Sequence, residues 1–184
     1  DLVLKKEINR LFASKIDIII TSGAVSAGKF DYIPYIIKKF KLSGYFKNVA
    51  IRPGKPILFA RFKAKQKAFF GLPGNSISSV ACFRFFVYRY LQYSLEVDAE
   101  KSLKAILKNK FTKNQNFTRF LRSTFNTTKN GKLEVNVLKR QESFRIEPFV
   151  KSNIWTVLHS GKKEFKKGEI VDCFLPNHSN KILL

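Results

Sequence analysis

Apolar positions in the first quarter of the chain follow two different periods. Residues 2–13 carry their apolar side chains on one helical face, which predicts an amphipathic helix. The short, mainly apolar run from Ile16 to Ile20 predicts a strand buried on both faces, as in a parallel sheet. A loop of small residues then extends to Gly28, and Asp31 opens a second helical pattern. Strand, small-residue loop and helix together predict an α/β unit.

The pattern continues through two extended segments and a long helix. Residues 57–62 and 68–71 flank a basic turn and predict a hairpin or neighbouring strands of one sheet. The preceding residues 42–47 are interpreted as a loop. The stretch Gly71-Leu-Pro-Gly-Asn-Ser76 comes directly before a long helical pattern, with Asn75 or Ser76 as its N-cap.

Beyond about residue 100 the pattern becomes extended and is interrupted by turns. Residues 117–127 and 133–137 alternate between apolar and polar on either side of Asn130-Gly131, a strong hairpin signal. Further strands are predicted at 154–158 and 170–175. We therefore expect two domains, residues 1–97 with α/β structure and residues 98–184 with all-β structure.

Composition adds a strong positive charge to this picture. The 184 residues contain 35 Lys and Arg against 13 Asp and Glu, a formal net charge of +22. The electric field of such a positive charge attracts nucleic acid, anionic membranes or phosphorylated small molecules. The alternative is a lysine-rich surface with no dedicated partner. No five consecutive residues are basic, which favours the alternative and makes nucleic acid an unlikely partner.

The cysteine, histidine and methionine residues further limit the class of protein to which the chain can belong. Cys82 and Cys173 lie far apart and are interpreted as reduced packing residues in a cytoplasmic protein. His159 and His178 lack the spacing of zinc ligands. No apolar run approaches the roughly 20 residues that a membrane span needs. The chain contains no Met, which suggests a processed product or a fragment.

Two loops in this α/β unit end strands and precede helices. Such loops point backbone N–H groups towards the edge of the sheet, which suits an anion. The turn Arg52-Pro-Gly-Lys-Pro56 lies between them in the sequence. Together these features predict one cleft at the strand ends.

The two loops and the turn also carry a resemblance. The blocks Asp17-Ile-Ile-Ile-Thr-Ser-Gly-Ala-Val-Ser-Ala-Gly-Lys-Phe-Asp31-Tyr, Pro53-Gly-Lys-Pro56 and Gly71-Leu-Pro-Gly-Asn-Ser76 occur in the order and spacing of one family. The chain resembles the C-terminal portion of the molybdopterin molybdotransferases, which include bacterial MoeA and the E domain of gephyrin. The resemblance implies an N-terminally incomplete α/β domain of the molybdopterin-binding type, followed by a small all-β barrel or sandwich.

The resemblance also implies an activity. Family members insert molybdate into adenylylated molybdopterin with Mg²⁺ and release AMP, and they are homodimers. A fragment of such an enzyme can be inactive by itself. The competing hypotheses are a basic nucleic-acid-binding module and a scaffolding module without catalysis.

Asp31 and Lys55 are the candidate catalytic residues. Asp31 matches the aspartate of the family's first loop, which implies a Mg²⁺ ligand; the alternative is a helix N-cap. Lys55 lies between two prolines and can present a point charge to phosphate. The alternative is that the Lys55 side chain is simply solvated. Arg52 is likewise expected either to contact phosphate or to be solvated.

The other candidates are expected to bind the pterin nucleotide. Ser22, Gly23, Ser26 and Gly28 would contribute from the first loop, with ordinary turn chemistry as the alternative. Pro73, Gly74 and Asn75 would shape the second loop; the alternative is a turn that begins a helix.

Three positions depart from the family pattern: Ala24 replaces a usual Gly, Ser76 a usual Pro, and Asn48 a usual basic residue. In the β half, Arg122 is expected to support structure or an interface, and Trp155 to lie in the core.

Overall fold

The computed structural model describes residues 2–23, 25, 32–63 and 67–176. It divides into two compact units. The first consists of Asp1–Val49 with Gly54–Cys82, and the second of Ala50–Pro53 with Phe83–Leu184. The helices are α1 (Leu2–Ala13), α2 (Ile33–Lys38), α3 (Ser76–Cys82), α4 (Tyr88–Ser94) and α5 (Glu147–Lys151). The strands are β1 (Ile18–Ser22), β2 (Leu42–Lys47), β3 (Ile51–Arg52), β4 (Leu58–Phe62), β5 (Ala68–Leu72), β6 (Leu103–Leu107), β7 (Phe111–Thr112), β8 (Thr118–Thr127), β9 (Leu133–Val137), β10 (Ile154–Leu158), β11 (Glu164–Phe165) and β12 (Ile170–Phe174).

The first unit contains a mixed sheet in the order β1-β5-β4-β2. Strands β1 and β5 are parallel, whereas β4 is antiparallel to both β5 and β2. The predicted hairpin of β4 and β5 is confirmed. The prediction of a loop over residues 42–47 is wrong, because these residues form β2 along the whole of β4. Ser43 and Gly44 obscure the strand pattern, and the pairing register shifts between Leu42 and Gly44.

Strand β1 is less buried than its apolar sequence predicts. Ile19 is buried, but Ile20 exposes 43% of its surface, and Ile16, which precedes the strand, exposes 41%. The expectation of burial on both faces is therefore wrong. The physical reason is that only one face of β1 is covered, because burial alternates from Ile19 on one face to Ile20 on the other.

Aromatic rings and one buried lysine hold the helices of the first unit on the sheet. The ring of Phe12 packs edge-on against Phe62, with centroids 4.5 Å apart, and is also close to Phe40. Lys67 is buried and its ammonium donates hydrogen bonds to the carbonyl oxygens of Ser14 and Ile16. These carbonyls follow the end of α1, where a positive charge is stabilising.

The second unit contains a closed barrel of five strands. Going around it, β8, β9, β6, β12 and β10 pair in succession, and β10 pairs again with β8. All neighbours are antiparallel except β6 and β9, and the short β3 adds in parallel to the start of β8. The core contains Leu121, Val135, Ile154 and Leu158. The predicted all-β domain is confirmed, and it is a barrel rather than a sandwich.

The side chain of Gln141 takes the place of a neighbouring strand at a break in the pairing of β8. Strand β8 pairs with β3 at Thr118–Arg119 and with β9 from Ser123 onward, so Arg122 lies between the two. The backbone N–H of Arg122 donates to Oε1 of Gln141 at 3.0 Å, and Nε2 of Gln141 donates to the Arg122 carbonyl at 2.8 Å. The buried Arg122 guanidinium also donates to Oε1 of Gln141. Its expected structural role is confirmed.

The long helix predicted after Ser76 is present, but its middle is a π-helical turn at Phe83–Val87. Within this turn Arg84 is buried and forms an ion pair with Glu100 at 2.6 Å. Phe85 stacks on Phe120 with centroids 4.0 Å apart and meets Trp155 edge-on. Trp155 is buried, as expected of a core residue.

Both cysteines are free and buried. Burial raises the pKa of Cys82 to about 12 and that of Cys173 to about 11, so neither thiol is an activated nucleophile. In the described parts of the chain, no helix is both long and apolar enough to cross a bilayer.

Candidate functional site

Two loops meet at the carboxyl ends of β1 and β5. Because these strands are parallel neighbours, in register from Ile18 opposite Ala68 to Ser22 opposite Leu72, both end at the same edge of the sheet. The amide of Gly23 donates to the Leu72 carbonyl at 2.9 Å, and the Ser22 hydroxyl lies 3.4 Å from the Pro73 carbonyl oxygen. The predicted convergence of the loops is confirmed for these residues.

The backbone at this point has little room for side chains. Gly23 has φ +85°, a left-handed conformation that favours glycine. A Cβ added at Gly74 would lie 3.5 Å from the Cα of Gly23, so the two loops approach each other through their glycines. A concave stretch of backbone bordered by small residues can approach a bound anion closely.

Asn75 begins the helix that follows the second loop. Its side-chain oxygen accepts a hydrogen bond from the Ser78 amide at 3.2 Å, and its carbonyl accepts one from Ser79 at 2.9 Å. This is the geometry of a helix N-cap, so that prediction is confirmed. The Ser79 hydroxyl donates to the Pro73 carbonyl, which fixes the second loop against α3.

Val25, the described residue of the first loop after Gly23, packs against the glycine near the end of β5. Its side chain is buried, and a Cβ added at Gly71 would lie only 2.5 Å from one of its methyl groups. The glycine at the end of β5 therefore provides the space that Val25 occupies.

The turn that carries Lys55 belongs to the first unit and packs near the other end of α3. The thiol of Cys82, the last residue of α3, lies 3.5 Å from the Gly54 carbonyl oxygen. Seven residues of helix correspond to about 10 Å, so this contact is distant from the N-cap at Asn75. The Lys55 side chain is exposed. Among the described residues, no hydrogen bond or ion pair joins it to the two loops.

Arg52 belongs to the second unit, where it lies on β3 opposite Arg119 of β8. Its guanidinium lies over the ring of Phe117, 4.8 Å from the centroid. Burial lowers the pKa of Arg119, and the charge of Arg52 lowers it further. Arg52 is thus part of a positively charged region that the sequence did not reveal as a cluster.

Three predicted residues, Ser26, Gly28 and Asp31, lie outside the described residues, as does Ala24. The helix expected to open at Asp31 begins at Ile33, with Tyr32 at the N-cap position. In the part of the chain that the structure describes, no group of three or more His, Cys, Asp or Glu side chains could hold a metal ion.

Two family patterns match the chain in the order of its two units. Residues 3–93 match the family described as "Probable molybdopterin binding domain", and residues 104–175 match "MoeA C-terminal region (domain IV)". The chain belongs to the molybdopterin molybdotransferase family. It corresponds to the C-terminal portion of that family.

Curated relatives agree with this assignment. The molybdopterin molybdenumtransferase of Staphylococcus aureus is 37% identical over 164 residues, which cover 88% of this chain and 38% of the relative. The Bacillus subtilis protein of the same name is 30% identical over 185 residues, 96% of this chain and 42% of its own. The chain therefore spans about two fifths of the length of these relatives.

Solved structures confirm the fold. The chain superposes on a molybdenum cofactor biosynthesis protein from Pyrococcus furiosus with TM-score 0.70 and 19% identity, covering 95% of this chain and 54% of that one. The molybdopterin biosynthesis moeA protein of Pyrococcus horikoshii gives TM-score 0.68 at 20% identity, covering 95% and 39%. The predicted fold, an α/β domain of the molybdopterin-binding type followed by a β-barrel, is confirmed.

Two groups of polar residues in the second unit could not be recognised from the sequence. Gln141 gave no signal because its partners are the backbone and side chain of Arg122, which are remote in sequence. Lys113 and Arg119 are separated by six positions, and only the fold of the barrel places them together.

Proposed function

We propose that this chain is part of a molybdopterin molybdotransferase that inserts molybdate into adenylylated molybdopterin with Mg²⁺ and releases AMP. The observation that carries this proposal is the meeting of the two glycine-containing loops at the carboxyl ends of β1 and β5. In α/β proteins, ligands bind in crevices at this edge of the sheet. Membership of the family supports the choice of ligand.

Each described candidate has a role in this proposal. Backbone groups of Gly23 and Gly74 and the Ser22 hydroxyl border the site where the pterin nucleotide would bind, while Pro73 and Asn75 hold the second loop in shape. Lys55 and Arg52 supply positive charge to phosphate or molybdate oxygens. Charge held in place before the reaction stabilises the charge that develops during it. The described residues therefore favour catalysis by positioning and electrostatics.

Ser26, Gly28 and Asp31 complete the proposed site. Asp31 is the proposed Mg²⁺ ligand, and Mg²⁺ would neutralise phosphate charge as a hard cation with oxygen ligands. This part of the proposal rests on the match of Asp31 to the family's first loop.

The proposal also concerns assembly and location. We expect a cytoplasmic homodimer that acts on small molecules, with no membrane or nucleic acid as its partner. The domains are proposed to be residues 1–97 and 98–184, and the family matches at 3–93 and 104–175 support this division.

Calorimetric titration with adenylylated molybdopterin, with and without Mg²⁺, tests this function. We expect saturable binding at one site that is strengthened by Mg²⁺ and weakened at least about tenfold by Asp31→Ala or Lys55→Ala, because the first variant removes the proposed Mg²⁺ ligand and the second removes a positive charge that faces phosphate. Lys129→Ala is the matched control, since Lys129 is an exposed residue in the β8–β9 hairpin. This variant should bind like the parent chain.

A random single-stranded RNA serves as the competing ligand. Binding of RNA alone, with an affinity that falls steeply as salt is added, would contradict the proposal and favour a nucleic-acid-binding module. Equal binding of the pterin nucleotide by the parent chain and the Asp31→Ala variant would remove Asp31 from the site.

A further inference from the structure

A cavity of about 550 Å³ lies within the second unit, at the end of the barrel where β3 joins β8. Four cationic side chains line it: Arg52, Lys113, Arg119 and Lys163. Thr112 and the loop 114–117 supply the rest of its wall, which includes three amide side chains. No carboxylate is among the lining residues.

Arg119 lies between other positive charges and is incompletely bonded. It is the direct pairing neighbour of Arg52 across β3 and β8. Its Nε is buried and has no hydrogen-bond partner among the described residues. An N–H group that has left water without gaining an acceptor destabilises the fold, so this position is open to an acceptor.

Lys113 is almost completely buried beside this guanidinium. Its Nζ donates to the Phe117 carbonyl at 2.8 Å and lies 5.6 Å from the centroid of the Phe165 ring. Burial lowers the pKa of Lys113, and the charge of Arg119 lowers it further. The cavity therefore holds its positive charges close together at an electrostatic cost.

A purely structural role accounts for only part of this arrangement. Lys113 satisfies the Phe117 carbonyl and so stabilises the loop 114–117. That role requires neither Arg119 and Lys163 at the same cavity nor the absence of a carboxylate. In contrast, a bound oxyanion would use all of these features, since its oxygens accept hydrogen bonds and its charge offsets the repulsion.

We propose that this cavity binds a phosphate group, either as inorganic phosphate or as the phosphate of a nucleotide. Arg119 and Arg52 present the guanidinium donors, and Lys113 and Lys163 add positive charge. All residues that line this site belong to the second unit, and Arg52 is the one among them that the molybdotransferase proposal also uses. Its existence does not depend on the molybdotransferase proposal.

Calorimetric titration of the whole chain with inorganic phosphate, at low ionic strength and with chloride as the only other anion, tests this site. We expect one saturable site that Arg119→Gln weakens at least about tenfold, because the variant removes the central charge and the open Nε donor. Lys129→Gln removes the same charge from the exposed hairpin and should change the affinity less than about twofold. Lys55→Gln should also leave the phosphate affinity unchanged. This result would show that the phosphate is not bound by Lys55 of the first unit.

A second measurement separates ligand binding from a structural role. Without phosphate, Arg119→Gln should raise the free energy of unfolding, because it relieves repulsion and removes an unpaired donor; with saturating phosphate the parent chain should be the more stable. Titration with AMP distinguishes the two sources of the phosphate group. Tighter binding of AMP than of inorganic phosphate would indicate that the natural ligand is a nucleotide. Two results would overturn the proposal. One is an equal loss of phosphate affinity in Arg119→Gln and Lys129→Gln. The other is a lower free energy of unfolding in Arg119→Gln than in the parent chain when phosphate is absent.

Discussion

The glycine at the end of β5 is determined by its neighbours rather than by its backbone angles. A Cβ at Gly71 would lie 2.5 Å from a Val25 methyl group and 3.3 Å from Cβ of Leu58. Both neighbours are buried, so the added atom displaces packed groups. We expect Gly71→Ala to lower the free energy of unfolding by about 1–3 kcal/mol, measured by urea denaturation.

Gly44 provides the control for this substitution. The nearest atom to its added Cβ is Cβ of Arg61 at 3.9 Å, an ordinary contact. Gly44→Ala should therefore change the stability by less than about 0.5 kcal/mol. Equal destabilisation by the two substitutions would mean that Val25 does not occupy the space over Gly71.

Sequence patterns predict residue roles well where the role is local. The sequence predicts Asn75 or Ser76 as an N-cap, and Asn75 takes this role because the cap and the amide it accepts from are three positions apart. Lys67 ends the predicted basic turn between β4 and β5, yet it is buried against carbonyls about fifty positions away. Nothing in the local sequence indicates such a partner.

At the scale of elements, Gln141 replaces a missing stretch of strand pairing beside β8. Gln141→Ala should leave the Arg122 amide and the Arg122 Nε without their acceptor inside the fold. We expect a loss of about 1–3 kcal/mol in the free energy of unfolding. Hydrogen exchange should show faster exchange at the Arg122 amide in particular, whereas Gln115→Ala, at an exposed position, should affect neither measurement.

A carboxylate on β12 connects three neighbouring segments of the barrel. Asp172 accepts hydrogen bonds from Ser102 and Lys104, which flank the start of β6, and from His159 after β10. Burial opposes its ionisation, but these hydrogen bonds outweigh burial and lower the pKa of Asp172 to about 2. A lowered pKa means that the carboxylate stabilises the fold above its ordinary pKa of 3.8, and that this contribution is lost as the pH falls towards 2.

The pH dependence of unfolding tests this contribution. At pH 5 Asp172→Asn should be less stable than the parent chain by about 1–2 kcal/mol, and the difference should shrink as the pH is lowered to about 2. The matched control is Asp98→Asn, at an exposed position with no side-chain ion pair among the described residues. A difference between Asp172→Asn and the parent chain that stays constant with pH would contradict this account.

The strands show how far element prediction extends. Alternation located β8 and β9 because one face of each strand packs in the barrel. The same reasoning overestimated the burial of β1, since an apolar sequence does not tell whether both faces of a strand are covered. It overlooked β2, whose Ser43 and Gly44 resemble a turn while β4 supplies the pairing.

At the scale of the whole molecule, the charge of +22 is the dominant electrostatic feature. Such a charge opposes the compact state through self-repulsion. We expect the free energy of unfolding to rise as sodium chloride is increased from about 20 mM to about 200 mM, because salt screens this repulsion. A fall in stability over this range would indicate that the ion pairs, such as Arg84 with Glu100, outweigh the repulsion.

The overall architecture was more predictable than the candidate site. The order of patterns gave an α/β portion followed by a β portion, because hydrophobic period and turn residues report directly on secondary structure. The site depends on contacts between distant segments. Ser22 and Pro73 could be predicted to meet because they end parallel strands, whereas the grouping of Arg52 with Arg119 required the pairing of β3 with β8.

The burial of Lys67 has a consequence for chemical modification of the chain. Reagents that acylate amines attack the unprotonated, accessible form, and most lysines of this protein are exposed. The Lys67 amine is buried and donates to two carbonyls, so it should react only when the connection between α1 and β1 opens. The rate at which Lys67 becomes acetylated, read by mass spectrometry against its exposed neighbour Lys63, would therefore report how often this corner of the first unit opens.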